Sequence, residues 1–363
     1  MHRCLELAGH GSGYVSPNPM VGAVLVHSGR IIGEGYHRQY GQAHAEVNCI
    51  DSVPETDQKL IGESTLYVSL EPCAHFGKTP PCADLIIRHK IPKCVVGCRD
   101  PFKEVDGKGI EKLQMAGVHV EAGVLEKECK DLNKRFFTFH TQHRPYIILK
   151  WAQTYDGFIA ASLNPQDGGI FEDSDDKKNV RKRLLISNEY SNRLVHKWRS
   201  EEASIIVGTN TALLDDPELT TRLWTGKSPV RIVLDMKLRL PSSLKMFNDT
   251  VQTIVFNSIK QEEKANLLYY QLNKNENVVH QIADALYKLN IQSVLVEGGA
   301  KLLQSFIDEN LWDEARVINN TQLTLKDRQI QNGLHAPLLQ NFVKENEVTL
   351  MNDRIEIFKP GKK

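Results

Sequence analysis

The chain has 363 residues and lacks several features that would sort it quickly. No stretch approaches the roughly 18 apolar residues of a membrane-crossing helix, so no membrane partner is expected. The opening "MHRCLELAGHGSGYVS" has no apolar core of an export signal. Seven cysteines at irregular spacing, without such a signal, read as reduced thiols in a cytoplasmic protein, some of them metal ligands, rather than as a disulfide framework. There is no excess of either charge, since Lys+Arg and Asp+Glu both number 45. A nucleic-acid partner, which a basic excess would support, is therefore not expected. Internal repeats, low-complexity tracts and a G-x-G-x-x-G fingerprint are also missing. The hydrophobic content of 41% and charged content of 25% are those of an ordinary globular chain. Its length exceeds what one core usually serves, which predicts two domains.

Strands and helices alternate along both halves. "MVGAVLVHSGRIIGEGYH" predicts an antiparallel hairpin about Ser28-Gly29, and the apolar spacing from His44 to about Val53 predicts a helix. "STLYVSLEPC" and "KCVVGCRDP" are predicted strands, with "CADLIIRHK" a helix between them. "GIEKLQMAGVHVEAGVLEKECKDLNKRFFTFH" continues as helix, strand and helix. The polar, proline-containing "HTQHRPYIILK" marks the boundary, giving domains 1–144 and 145–363. The second half alternates again through "YIILKWA", "ASIIVGTNTALLDD", "VRIVLD", "QTIVFN" and "QSVLVEGGAKLLQSFIDENL". Both halves therefore read as α/β layers. The polar run "NPQDGGIFEDSDDKKNVRKR" reads as a solvated loop. Nothing after about residue 305 suggests more than closure of the second sheet.

His44, Glu46, Cys73 and Cys82 carry the clearest chemistry. Imidazole and two thiolates are zinc donors, and a catalytic zinc keeps three protein ligands with a fourth position open for water. Zinc lowers the pKa of such a water towards roughly 7. Glu46, two residues after the histidine, is placed to carry its proton to a leaving amine. A structural zinc would need a fourth protein ligand, for which Cys49 and His75 are the candidates. Cys94 and Cys98 read as small buried residues of a strand. The eight residues between Cys73 and Cys82 depart from the "H-x-E … P-C-x-x-C" deaminase pattern.

In the second half, "SVLVEGGAKLLQSFI" is a strand, a Gly-Gly turn and a helix, which offers backbone N–H groups to a pyrophosphate. Arg199 and Arg222 are candidates for a phosphate clamp, because guanidinium matches phosphate bidentately.

Together, "HAE", "PCAHFGKTPPC", "SPNPMVGAV" and "GEGYH" resemble the deaminase half of the bifunctional riboflavin-biosynthesis deaminase/reductase family. "LKWAQTYDGFIA", "HKWRSEEASIIVGTNTALLDDPELTTR", "PVRIVLD" and "VEGGAKL" resemble its reductase half. The resemblance implies a cytidine-deaminase-like three-layer domain followed by a dihydrofolate-reductase-like domain. It implies Zn2+ held by His44, Cys73 and Cys82, with Glu46 as proton shuttle, and a pyrimidine pocket at Asn18 and His37. His75 and Lys78 would lie in a loop near the substrate. NADPH contacts are implied at Gln153, Thr211, Asp215 and the turn of Gly299, Ala300, Lys301 and Leu302. Substrate contacts are implied at Arg199, Leu219, Arg222 and Glu297. Where the family commonly has Ser-x-Trp, this chain has Arg183 and Leu185, and Leu185 could pack on the nicotinamide.

The expected activity is zinc-dependent hydrolytic deamination of 2,5-diamino-6-ribosylamino-pyrimidinone 5′-phosphate, then NADPH-dependent reduction of the ribosyl to a ribityl chain. The expected partner is a small phosphorylated pyrimidine, and the resemblance suggests a homo-oligomer assembled through the reductase domains. Two alternatives stay open on the residues: a nucleoside or nucleic-acid deaminase with an accessory domain, and a non-catalytic zinc-stabilised binding protein.

Overall fold

The protein is described by a computed structural model covering residues 1–76, 80–102, 105–161, 184–326 and 333–361. Lys78 and the whole polar run 164–183, with Arg183 at its end, lie outside the described residues. The chain divides into two compact units, Met1–Arg144 and Pro145–Lys363. Among the described residues no helix is long and apolar enough to cross a membrane.

The first unit runs α1 (His2–Gly9), β1 (Gly22–His27), β2 (Arg30–Tyr36), α2 (Ala45–Asp51), β3 (Thr65–Leu70), α3 (Cys82–Arg88), β4 (Lys93–Cys98), α4 (Lys108–Met115), β5 (His119–Ala122), α5 (Glu126–Leu132) and α6 (Lys134–Gln142). Its sheet is ordered β2-β1-β3-β4-β5. The β1–β2 hairpin closes through Ser28 and Gly29 at φ 47° and 79°, the left-handed pair whose twist suits a two-residue turn. β3 and β4 pair in parallel, and α3 is the crossover between them. Leu66, Val68, Cys94 and Val96 are fully buried, as parallel strands covered on both faces must be. α2 lies directly on β2, where a Cβ on Gly35 would collide with the backbone of Asn48 and Cys49. That close approach fixes the helix that begins with the His44-Ala45-Glu46 triplet.

The single helix expected over the end of this unit is two helices that part at Asn133. The side chain of Asn133 accepts the Met20 N–H and donates to the Met20 carbonyl, both at 2.8 Å, and is buried. A short polar side chain that bonds backbone elsewhere favours helix ends over helix interiors. Asn133→Ala would leave both Met20 groups without this partner. The expected result is a loss of roughly 1–3 kcal/mol of unfolding free energy, read by denaturant titration. A change within a few tenths would show the bonds to be dispensable.

The second unit contains β6 (Tyr146–Gln153), β7 (Phe158–Ala161), α7 (Glu189–Glu201), β8 (Ser204–Gly208), α8 (Thr209–Asp215), β9 (Val230–Leu234), β10 (Thr253–Asn257), β11 (Glu262–Lys264), β12 (Leu267–Gln271), α9 (Val278–Lys288), β13 (Ser293–Val296), α10 (Ala300–Asp308), β14 (Glu314–Asn320), β15 (Gly333–His335), β16 (Phe342–Leu350) and β17 (Asp353–Pro360). Ten strands form one sheet in the order β11-β12-β10-β9-β8-β13-β6-β14-β17-β16. The centre is parallel and the pairs at both margins are antiparallel. Separate apolar clusters cover the faces, one around Ile147, Leu149 and Phe306, the other around Ile148, Ile205 and Leu295.

The residues after 305 do close the sheet, and they also hold the entrance to α7. Asn188 caps that helix by accepting the N–H groups of Tyr190 and Ser191, each at 3.0 Å. Its own N–H goes to Asp353 at 2.8 Å, and Asn320 donates to the Ile186 carbonyl at 2.7 Å.

Candidate active sites

In the first unit, three chain segments bring His44, Cys73 and Cys82 together. His44 is the residue before α2, Cys82 opens α3, and Cys73 lies on the strap leaving β3. Their donor atoms all lie within 4.8 Å of one another. His44 Nδ1 is 3.3 Å from Cys82 Sγ and 3.6 Å from Cys73 Sγ. A tetrahedral zinc with bonds of about 2.0–2.3 Å sets its ligand atoms about 3.5 Å apart. The donor types and spacing therefore fit zinc. Among the described residues neither Cys49 nor His75 joins the group, which leaves three ligands. Cys49 is fully buried and burial pushes its thiol up. Cys94 and Cys98 are buried strand residues, as expected.

The hydrogen bond from Cys82, with His44 assisting, holds the Cys73 thiol well below its ordinary range. Cys82 is shifted the opposite way by that bond and by burial. The Cys82 N–H also donates to Cys73 Sγ at 3.3 Å, and Ala83 N–H to the Cys73 carbonyl at 3.1 Å.

Glu46 is 3% exposed in the first turn of α2, and burial pushes its carboxyl up. A carboxyl raised in this way holds a proton more readily than a solvated one. The His37 ring meets the His44 ring edge-on at 5.5 Å. His37 Nδ1 bonds the Ala43 carbonyl at 3.0 Å, which leaves Nε2 to accept from Asn18 Nδ2 at 3.1 Å. Burial keeps His37 from protonating easily. His75 is half-buried, tilted 6.3 Å from Phe102, with Nδ1 buried and unbonded among the described residues.

Sequence reasoning missed Glu71, which immediately precedes Pro72-Cys73. Its buried carboxylate accepts four backbone N–H groups, from Asp100 at 3.3 Å, Gly107 at 3.1 Å, Gly109 at 2.9 Å and Ile110 at 3.2 Å. It ties the base of the cysteine strap to the loop before α4 and to the first turn of that helix.

The second unit holds a cavity of about 1490 Å³, larger than the ~300–1,000 Å³ common for one small ligand. It follows the carboxyl ends of the parallel strands, the usual ligand position in α/β sheets. Leu185, Arg199, Thr211, Asp215, Arg222, Glu297 and the Gly299–Leu302 turn all line it. Gly298 reaches φ 131° there, and Gly299 N–H donates to Thr211 Oγ1 at 2.8 Å. A Cβ on Gly299 would press on that hydroxyl at 3.2 Å. The bare turn at the start of α10 suits the close approach of a dinucleotide phosphate.

Two expected contacts sit off the cavity wall. Gln153 accepts the indole N–H of Trp151 at 2.7 Å, and Trp151 is the residue that faces the cavity. Leu219, at φ 55°, is packed in the apolar core.

Arg199 is not a free cation. Its Nε and Nη2 each reach a Glu297 carboxylate oxygen at 2.7 Å, and Nη1 donates to the Thr220 carbonyl at 3.3 Å. Lys150 Nζ lies 3.9 Å from the same carboxylate. Burial alone would raise the Glu297 pKa, but Arg199 and Lys150 outweigh it and bring it down to about 2. Lys150 was missed, although a lysine inside "YIILKWA" was its signal. His196 was missed too: its Nδ1 accepts the Arg222 N–H at 2.9 Å, and burial with Arg199 and Arg222 nearby lowers its pKa to about 4. The Arg222 side chain is half-exposed and bonds Glu218 and Thr220, each at 3.0 Å.

A three-ligand zinc centre with a buried carboxyl, in one chain with a glycine-turn dinucleotide cavity, defines a two-activity enzyme, a deaminase joined to a reductase. The comparisons agree. The family described as "Cytidine and deoxycytidylate deaminase zinc-binding region" matches residues 1–98, and "RibD C-terminal domain" matches residues 145–322. The riboflavin biosynthesis protein RibD of Aquifex aeolicus is 42% identical over 86% of this chain and 83% of its own. That of Bacillus amyloliquefaciens is 36% identical over 86% and 81%. A solved diaminohydroxyphosphoribosylaminopyrimidine deaminase/5-amino-6-(5-phosphoribosylamino)uracil reductase of Thermotoga maritima superposes with TM-score 0.84 at 36% identity, covering 99% of this chain and 97% of its own. Acinetobacter baumannii RibD also gives 0.84, at 28% identity over 99% and 98%. The chain belongs to the bifunctional deaminase/reductase family of riboflavin biosynthesis. Its first unit is cytidine-deaminase-like and its second has the dihydrofolate-reductase-like fold of the reductases.

Proposed function

We propose that this chain deaminates 2,5-diamino-6-ribosylamino-pyrimidinone 5′-phosphate in its first unit and, with NADPH, reduces the ribosyl of the product to ribityl in its second. The observation that carries the reading is the trio of His44, Cys73 and Cys82 with buried Glu46 beside it. Zinc held there supplies Lewis acidity towards water. Glu46 takes the water's proton and delivers it to the amino group, which leaves as ammonia while the ring carbon gains the oxygen. Asn18, oriented by His37, presents its carboxamide oxygen to an amino group of the pyrimidine. His75 faces the same pocket.

In the second unit a bound nicotinamide dinucleotide would supply the hydride to the anomeric carbon as the bond from that carbon to the ring oxygen breaks. The freed oxygen would take a proton from water. The Gly298–Leu302 turn and Thr211 receive its phosphates, and Leu185 offers an apolar surface to its ring. Asp215 serves the cofactor from the same wall. Glu297, kept ionised by Arg199 and Lys150, accepts from sugar hydroxyls. Arg222 holds the 5′-phosphate; Arg199 acts chiefly through Glu297. Fixing that remote phosphate orients the sugar carbon for transfer. We also expect the enzyme to act in the cytoplasm and to self-associate through its reductase units.

The test supplies the diaminopyrimidine ribotide with NADPH and follows ammonia release and nicotinamide absorbance together. Both signals are expected. A zinc chelator should stop ammonia release yet spare the absorbance change when deaminated ribotide is supplied, and added zinc should restore the first. Loss of both on chelation, with deaminated ribotide present, would refute two independent sites.

A further inference from the structure

Among the described residues His196 is the one imidazole on the wall of the second unit's cavity. It stands on α7, where Asn192, Val195, His196 and Arg199 form one stripe of the helix along that wall. Trp198 packs with Val195 on Ile318 of β14 and Ile355 of β17, which fixes how the helix is turned. His196 itself is only 6% exposed, and the cavity is the space beside it.

Its ring is held in one protonation form. The Arg222 amide donates to Nδ1 at 2.9 Å. The strap that carries this amide is pinned just ahead of it: Arg199 Nη1 donates to the Thr220 carbonyl at 3.3 Å, and Thr221 N–H to Ser228 Oγ at 3.1 Å. An amide nitrogen can only donate, so Nδ1 is the bare nitrogen and the ring proton sits on Nε2. Burial, with Arg199 and Arg222 nearby, lowers the His196 pKa to about 4 and keeps the ring neutral. Nε2–H has no hydrogen-bond partner among the described residues. What enters the cavity must supply the acceptor.

The neighbours of His196 narrow that acceptor. Arg199, Arg222, Glu297 and Lys150 all lie close enough to act on its charge. It therefore lies between Glu297, assigned above to the sugar hydroxyls, and Arg222, assigned to the 5′-phosphate. The atoms that pass between those two are sugar oxygens. The surrounding cations are engaged: Lys150 and Arg199 face Glu297 at 3.9 and 2.7 Å, and Arg222 faces Glu218 at 3.0 Å.

We propose that His196 is a further catalytic residue of the reduction, its Nε2–H donating to the sugar ring oxygen as that oxygen leaves the anomeric carbon; this rests on the reductase reading. Hydride makes the new bond to the anomeric carbon, and the bond from that carbon to the ring oxygen breaks with its electron pair on oxygen. That oxygen takes a proton from water, and the imidazole keeps its own. A preset donor gains most when negative charge develops on its partner, so the contact favours the transition state over the bound substrate.

The test follows reduction of already deaminated ribotide by the full chain with NADPH. His196→Asn keeps an acceptor for the Arg222 amide but has no donor at the Nε2 position. The longer His196→Gln can put an amide N–H there. In His196→Asn kcat should fall roughly 100-fold, the usual loss when one such donor is removed, with KM for the ribotide nearly unchanged. His196→Gln should recover part of the loss. With NADPH deuterated at the transferred position, the isotope effect on kcat should grow in His196→Asn, because hydride transfer becomes the slow step. Nitrogen NMR of the unaltered protein with labelled histidine should show His196 as the Nε2–H form at neutral pH, its Nε2 signal moving when ribotide binds. A ring protonated on Nδ1 at neutral pH would overturn the proposal even if His196→Asn fails to fold. So would a ribotide KM that rises at constant kcat, or equal losses in both variants with an unchanged isotope effect. If the unaltered protein does not oxidise NADPH with deaminated ribotide, the reductase reading itself fails.

Discussion

Replacing Glu46 with glutamine is expected to lower the rate of ammonia release roughly 100- to 10,000-fold, the usual contribution of a positioned acid–base group. Glutamine keeps the size and the buried position of the side chain but cannot carry a proton. Zinc content should stay at one ion per first unit, because the ligands are His44, Cys73 and Cys82. Reduction of already deaminated ribotide should continue at the unaltered rate, since every residue argued for that step lies after residue 145. Metal analysis, ammonia assay and nicotinamide absorbance on one preparation check all three statements. Retained deamination with full zinc would show that another group moves the proton.

The second large effect is expected at Glu297, whose side chain is 6% exposed between Arg199 and Lys150. Glu297→Gln leaves two largely buried cations facing a neutral amide. Breaking such a buried pair on one side costs about 3–5 kcal/mol of stability. Reduction should fall with it, since the cavity loses its anion. The folded pKa of about 2 lies below the ordinary 4.5. The carboxylate's contribution is therefore fully present above pH 4.5 and is lost as pH falls from there through about 2. Its size is roughly 3 kcal/mol from the shift alone. Urea titrations of the second unit across that window should show the unaltered protein losing stability faster with acid than Glu297→Gln. Parallel pH dependences would mean that the Arg199 pairing contributes nothing to folding.

The metal site was legible because its donors are rare residue types close together in the sequence, and the proline-cysteine steps mark where a strand ends and a helix begins. Continuous apolar runs such as "YIILKWA" and "SVLVEGG" revealed strands of the second sheet, since strands covered on both faces are apolar on both. Other features depend on distant partners. Nothing near Asn133 in sequence announces Met20 as its partner, so the helix break was hidden. Glu71 looks like any loop acid until four amides from 100–110 fold around it. The assignment of Arg199 as a phosphate clamp had the same weakness: its carboxylate partner lies 98 residues away. β16, exposed along almost its whole length, carries no apolar alternation to reveal it as a strand.

The backbone closure at Cys73 and Cys82 has a consequence for how this site can change. Cys82 N–H and Ala83 N–H both return to Cys73, and Glu71 secures the strap from behind. Among the described residues, the bonds that hold the two thiols thus lie at the mouth of the intervening loop. A loop closed at its mouth tolerates altered length at little entropic cost. The segment between the cysteines is accordingly a replaceable cassette: its length and side chains can be exchanged to admit a different ring while the metal centre stays where it is.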